Sequence, residues 1–175
     1  MILKLVYYKD RILRKKCRLI GEITEEVRQL ALDLVESVLE YDGAGLAAPQ
    51  VGSDVRMFVI RYSNDLDEGG MPVLCSPQIF INPKISIIAG VDMETQTEGC
   101  LSIPGIVGEV SRPQKIVVEA MDLEGKVFTE EAVGWRARVI MHENDHLNGT
   151  LFIDRVSSAQ KKKLKEPLKK LASRF

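Results

Sequence analysis

Both histidines of the chain fall within nine residues, "MHENDHLNG", Met141 to Gly149. His142 and His146 are four apart, and Glu143 directly follows the first. On a helix, residues four apart lie on one face with Cβ atoms about 5–6 Å apart. The stretch therefore reads as a helix offering two imidazoles to one metal, with Glu143 within reach of a water bound to it. Two ligands do not complete a catalytic site, which takes three from the protein and leaves one position open. The fold has to bring a third residue to this helix from elsewhere.

Three sources of that ligand can be weighed. One metalloprotease pattern continues H-E-x-x-H-x-x-G-x-x-H; Gly149 fits it, but the third histidine position is Phe152, which cannot ligate. A second pattern takes a glutamate downstream. Glu166 lies 20 residues past His146, but in "KKKLKEPLKK", with Lys170 where such enzymes carry an aspartate four residues on. It reads as a solvated acid in a basic helix. The third source is Cys100 in "EGCLSIPG". A thiolate is a strong ligand for Zn²⁺ or Fe²⁺, Gly99 lets the backbone approach closely, and Pro104 stiffens the exit. Taken alone, a single cysteine reads as a core hydrophobe, as Cys17 and Cys75 do here.

Three widely spaced cysteines form no disulfide framework and suit a reducing compartment. The N-terminal "MILKLVYYKDRILRKKC" is too broken by charge for a secretory signal, and no apolar run approaches a membrane span. A cytoplasmic protein with neither a membrane nor DNA as partner is expected. At 175 residues, with 45% apolar and 28% charged residues, the chain fits one globular domain, 1–175. The formal net charge of -1 hides an asymmetry: eight of the 24 Lys and Arg lie from Arg155 onward, against one acid, Glu166.

Residues 23–43, "ITEEVRQLALDLVESVLEYDG", have helical spacing at Val27, Leu30, Leu34, Val38 and Tyr41, with Thr24 as N-cap and Gly43 as terminator. The Gly- and Ala-rich "GAGLAAPQVG" and a short strand "MFVI" follow, and residues 63–77 read as an exposed mobile loop. "QIFINPKISII" and "KIVVEAMDLEGKVFTEEAV" read as strands, the second a hairpin turning near Glu124-Gly125. "AVGWRARVIMHENDHL" is helical, with Val133, Ala137, Ile140 and Met141 as its apolar face. A last basic helix spans 155–175, starting near Ser157 and interrupted by Pro167. The order argues for one α+β domain, its antiparallel or mixed sheets packed around the central HExxH helix and flanked by an N-terminal and a C-terminal helix.

"GAGLAAPQ" (Gly43 to Gln50), "EGCLS" (Glu98 to Ser102) and "HENDHLNG" (His142 to Gly149) together resemble the peptide deformylase family, whose three motifs occur in this order. The resemblance implies that Cys100, His142 and His146 bind one divalent metal, with water in the fourth position. It implies Fe²⁺ as the native ion, with Zn²⁺, Ni²⁺ or Co²⁺ able to substitute. Glu143 would be general base and then general acid, and the Gln50 side chain and the Leu101 backbone N–H would face the oxyanion. The substrate implied is the N-formyl-methionyl end of a nascent polypeptide, releasing formate.

The residues suit that chemistry in their own right. A thiolate ligand adds negative charge, so it should acidify a bound water less than three neutral histidines do, and a nearby base such as Glu143 gains importance. Gly43, Ala44, Gly45, Leu46 and Gly99 are expected to line the substrate, Ala44 leaving the entrance wide. Val139, one turn before His142, is a candidate wall for the methionine side chain, and Trp135 a candidate rim. Glu98 and Arg112 are expected to pair and hold the cysteine loop, and Asp145 to orient a neighbouring group or simply face solvent. The basic tail is either a solvated helix face or a ribosomal RNA contact, whose affinity would depend strongly on salt.

Overall fold

The computed structural model describes residues 1–175. Its helices are α1 (Glu25–Glu40), α2 (Gly134–Leu147), α3 (Phe152–Arg155) and α4 (Ser158–Ala172). The strands are β1 (Gly45–Ala47), β2 (Met57–Leu66), β3 (Pro72–Ile87), β4 (Met93–Cys100), β5 (Ile103–Pro113), β6 (Lys115–Met121) and β7 (Val127–Val133). Five strands form one sheet in the order β1-β2-β3-β6-β7, and β4 and β5 form a separate ribbon. Every pairing between these strands is antiparallel.

Strand alternation sorts the core. On β2, Met57 and Val59 point to a cluster shared with Ala31, Leu34 and Val38 of α1. Phe58 and Ile60 point the other way, to a cluster with Ala137, Ile140 and Leu147 of α2. The large sheet is thus sandwiched between the two helices, and Phe58 stacks on Phe80 at 5.0 Å between ring centroids. A third cluster lies under the β4–β5 ribbon, where Ile103, Ile106 and Val110 meet Phe152 of α3, Val156 just after it and Leu171 of α4. No helix is long and apolar enough to cross a membrane.

The helical periodicity of residues 23–43 is realised as α1, with the Thr24 side chain accepting from the Val27 N–H at 3.4 Å. The 115–133 hairpin also forms, turning through Gly125 at φ +78°. Four expectations need correction. Residues 63–77 are not a loop: β2 runs to Leu66, β3 begins at Pro72, and Asp67–Gly70 make the turn. Val133 is not on the helix's apolar face; it closes β7 opposite Lys115 and caps α2 with an extended backbone. Pro167 does not interrupt α4, which runs through it to Ala172. Cys75 is only half-buried on β3, whereas Cys17 is buried and its thiol is pushed up to about 11 by that burial.

Gly149 fixes where the chain turns after the histidine helix. Its φ is +71°, and a Cβ there would stand 2.5 Å from the backbone oxygen of Arg14. Gly149→Ala should destabilise by about 2–3 kcal/mol, lowering Tm by roughly 4–10 °C in thermal unfolding.

Candidate metal centre

Two pieces of backbone supply the donors. α2 is buried on nearly every side, which places His142 and His146 deep between the sheet and the ribbon. β4 ends at Cys100, where a register shift after Gly99 turns the chain into β5. The ligand atoms of Cys100, His142 and His146 all lie within 4.8 Å of one another, with Cys100 Sγ 3.3 Å from His146 Nε2. Glu166 stands exposed on α4, outside the cluster.

The donor set fits a metal. His142 Nδ1 lies 2.9 Å from Glu98 Oε2. A carboxylate only accepts, so Nδ1 carries the proton and Nε2 keeps its lone pair for an ion. Burial holds His146 well below the usual imidazole range, so it is neutral, as a ligand must be. Burial would lower His142 too, but hydrogen bonds with Cys100 and Glu98 outweigh it and raise the group. A cation at Nε2 therefore competes there with a proton.

Glu98 organises the surroundings. Its Oε1 accepts from Arg112 Nε (2.6 Å) and Arg138 Nη1 (2.8 Å). Its Oε2 accepts from Arg112 Nη2 (3.0 Å) as well as from His142. Burial would raise this carboxyl, but Arg112 and His142 hold it well below the usual range. Arg112 reaches on to Asp145 (2.9 Å), which also receives Arg155. Asp145 is therefore buried in an ion-pair chain rather than solvated. Arg138 also donates to the carbonyls of Val110 (2.9 Å) and Glu94 (2.7 Å), tying α2 to both ribbon strands.

A cavity of about 460 Å³ opens onto this centre. Gly43, Ala44, Gly45, Gln50, Gly99, Cys100, Leu101, Trp135, Val139, His142 and Glu143 all line it. Leu46 does not: as the middle residue of β1 its side chain points the other way and is fully buried against α1. Tyr62, Thr97 and Arg138 line the cavity without having stood out in the sequence, nor did Ser102, whose buried hydroxyl lies 3.4 Å from Gln50 Nε2. Only Ser102 sits inside a recognisable motif; the other three carry no local signal.

Gln50 is fixed by a hydrogen bond from the Ala47 N–H to its Oε1 (2.8 Å), which aims its Nε2 at Cys100 Sγ, 3.4 Å away. Glu143 is buried, burial raises its carboxyl to about 7, and Oε2 has no hydrogen-bond partner. A buried carboxylate oxygen left unpaired costs about 1–3 kcal/mol or more, and such groups concentrate where chemistry is done. Gly45 makes room for it: a Cβ there would lie 2.7 Å from Glu143 Oε1 and 2.9 Å from its Cγ.

The family model described as polypeptide deformylase matches residues 2–162. The chain belongs to this family. It is 41% identical over 179 residues to the peptide deformylase of Methylacidiphilum infernorum, covering 98% of this chain and 93% of that protein. It is 38% identical over 170 residues to that of Acinetobacter baumannii, covering 97% and 92%. Among solved structures, the peptide deformylase of Ehrlichia chaffeensis superposes with a TM-score of 0.86 at 34% identity, covering 97% of this chain and 96% of that one. The enzyme from Synechococcus elongatus in complex with actinonin gives 0.82 at 41% identity, covering 97% and 86%. The family is metal-dependent, and the Cys/His/His cluster is the candidate metal site in this deformylase fold.

Two substitutions test the arrangement. Glu98→Gln leaves Arg112 and Arg138 facing a neutral amide and weakens the grip on His142. Metal affinity, measured by chelator competition, should fall by roughly 10–100-fold. Gly45→Ala should displace the Glu143 carboxylate without touching a donor atom. Metal content should stay at the wild-type level while turnover falls by about 100-fold or more.

Proposed function

We propose that the chain hydrolyses the formamide bond of N-formyl-methionyl polypeptides, with Cys100, His142 and His146 holding one divalent metal. The observation that carries this reading is the buried Glu143 carboxylate, its Oε2 unpartnered, beside three convergent donor atoms. When bound, the metal supplies Lewis acidity that turns water into a nucleophile at neutral pH. Glu143, raised to about 7 by burial, takes the proton of the attacking water and returns it to the departing nitrogen. The Gln50 carboxamide, preset by Ala47, donates to the developing oxyanion, joined by the Leu101 N–H. Val139 and Trp135 flank the methionine side chain, while Gly43, Ala44, Gly45 and Gly99 leave space for the peptide backbone.

The ion we propose is Fe²⁺, with Zn²⁺, Ni²⁺ or Co²⁺ as substitutes, since a mixed sulfur and nitrogen set accepts all four. The setting proposed is the cytoplasm, where the three free cysteines stay reduced. Replacing Glu143 by Ala should leave metal content and Tm near wild type, and cut hydrolysis of formyl-Met-Ala-Ser by about 100- to 10,000-fold. A Glu143→Ala protein that still turns over would remove this reading.

We further propose that the basic face of α4 docks on ribosomal RNA. Lys161, Lys162, Lys165 and Lys169, with Lys9 and Arg14, surround a surface cavity of about 690 Å³, and this concentration of cations supports the contact. Cosedimentation with ribosomes should weaken steeply between 50 and 200 mM salt (roughly 10-fold or more) and fall further when 157–175 is removed.

A further inference from the structure

The β2–β3 hairpin leaves large apolar side chains in water. Leu66 is 56% exposed, Met71 59%, Val73 37% and Leu74 51%, all within nine residues. Single exposed hydrophobics need no explanation, but a group of them beside a cavity does. The hairpin grows out of the cavity wall, because Tyr62 lines the cavity and pairs directly with Leu74. Leu66 pairs with Pro72, and the irregularities between these pairs insert residues two at a time. A shift of two preserves the side-chain alternation. Tyr62, Leu66 and Leu74 therefore share one face, which runs outward from the cavity's rim.

This ledge is built and anchored. At its tip, Asp67 Oδ1 accepts from the N–H groups of Gly69 (2.8 Å) and Met71 (2.9 Å). At its base, Arg136 Nη1 donates to the Tyr62 carbonyl (2.6 Å). Asn64 is held by the Glu131 carbonyl (3.2 Å) and the Val133 N–H (3.0 Å) on β7. The same β7–α2 junction carries Trp135, so the ledge and the cavity wall are fixed to one frame.

We infer that the Leu66–Leu74 ledge binds the substrate polypeptide itself, beyond the residues seated in the cavity, and selects chains with apolar side chains at alternate positions. The inference rests on the deformylase reading. A chain with its formyl end at Cys100 has to leave across the rim, and the apolar face continues from that rim at Tyr62. From the Tyr62–Leu74 pair to the Leu66–Pro72 pair β3 advances two residues, about 7 Å at 3.3 Å per residue, the reach of about two extended substrate residues.

The test uses the metal-loaded full chain and three substrates. These are formyl-Met-Ala-Ser, an octapeptide extending it with alternating Leu and Ser, and a length-matched extension of Ser and Gly. The wild-type protein should cleave the Leu-containing octapeptide with kcat/KM on the order of tenfold above the Ser/Gly one, mostly through KM. In the Leu66→Ser, Leu74→Ser double variant that ratio should fall to near one. Equal rates for the two octapeptides in the wild type would overturn the ledge, as would a ratio that survives the substitutions in a folded variant. A wild-type dimer in sedimentation that the double variant loses would also overturn it, assigning the ledge to a second copy. Failure of the wild type to cleave formyl-Met-Ala-Ser at all is the distinct result that removes the underlying activity.

Discussion

The buried carboxylate of Glu98 is the point on which the centre depends. Two guanidinium groups and one imidazole converge on its two oxygens. Burying an isolated carboxylate is prohibitive, and the arrangement is stable only because every lone pair is met by a charged or polar donor. The same saturation fixes geometry. Arg112 ties the ribbon to Asp145 of α2, Arg138 ties α2 back to both ribbon strands, and His142 is left with one orientation and one free nitrogen. The candidate metal centre is thus held from outside by a charge network before any ion is considered.

Against this saturated network stands the starved carboxylate of Glu143. Both acids are buried within one helical neighbourhood, yet one is held well below the usual range and the other raised to about 7. The difference is supply of donors: Glu98 has two arginines, while Glu143 has the bare backbone of Gly45 and an oxygen with no partner. In the proposed mechanism, two chemically similar side chains take a positioning role and a proton-carrying role through their surroundings alone.

How much of this the sequence disclosed depends on which physical pattern each element obeys. α1 and the β6–β7 hairpin follow standard periodicity with capping and turn residues in place, and both were legible. The β4–β5 ribbon was not, because its inward positions include Glu98 and Arg112 and so break the apolar alternation that signals a strand. α2 was legible through its histidines rather than its amphipathicity, since it buries Arg136, Arg138 and Asp145 along with its apolar residues. The hairpin at 57–87 was hidden by its polar, glycine-bearing tip. Arg138 was invisible in principle: its importance lies in three acceptors distant in sequence. Leu46 shows the converse hazard, a motif residue whose side chain faces away from the cavity that its glycine neighbours line.

The candidate ligands come from two separate hydrophobic clusters. The histidines ride on a helix embedded in the core of the large sheet, whereas Cys100 ends a ribbon whose apolar partners are α3 and α4. An ion held by all three is a cross-link between the two clusters. By mass action, the free concentration of that ion adds to the hold that the Arg112 and Arg138 bridges already give. Loss of the ion in the cell would therefore register as a shorter protein lifetime as well as a silent active site.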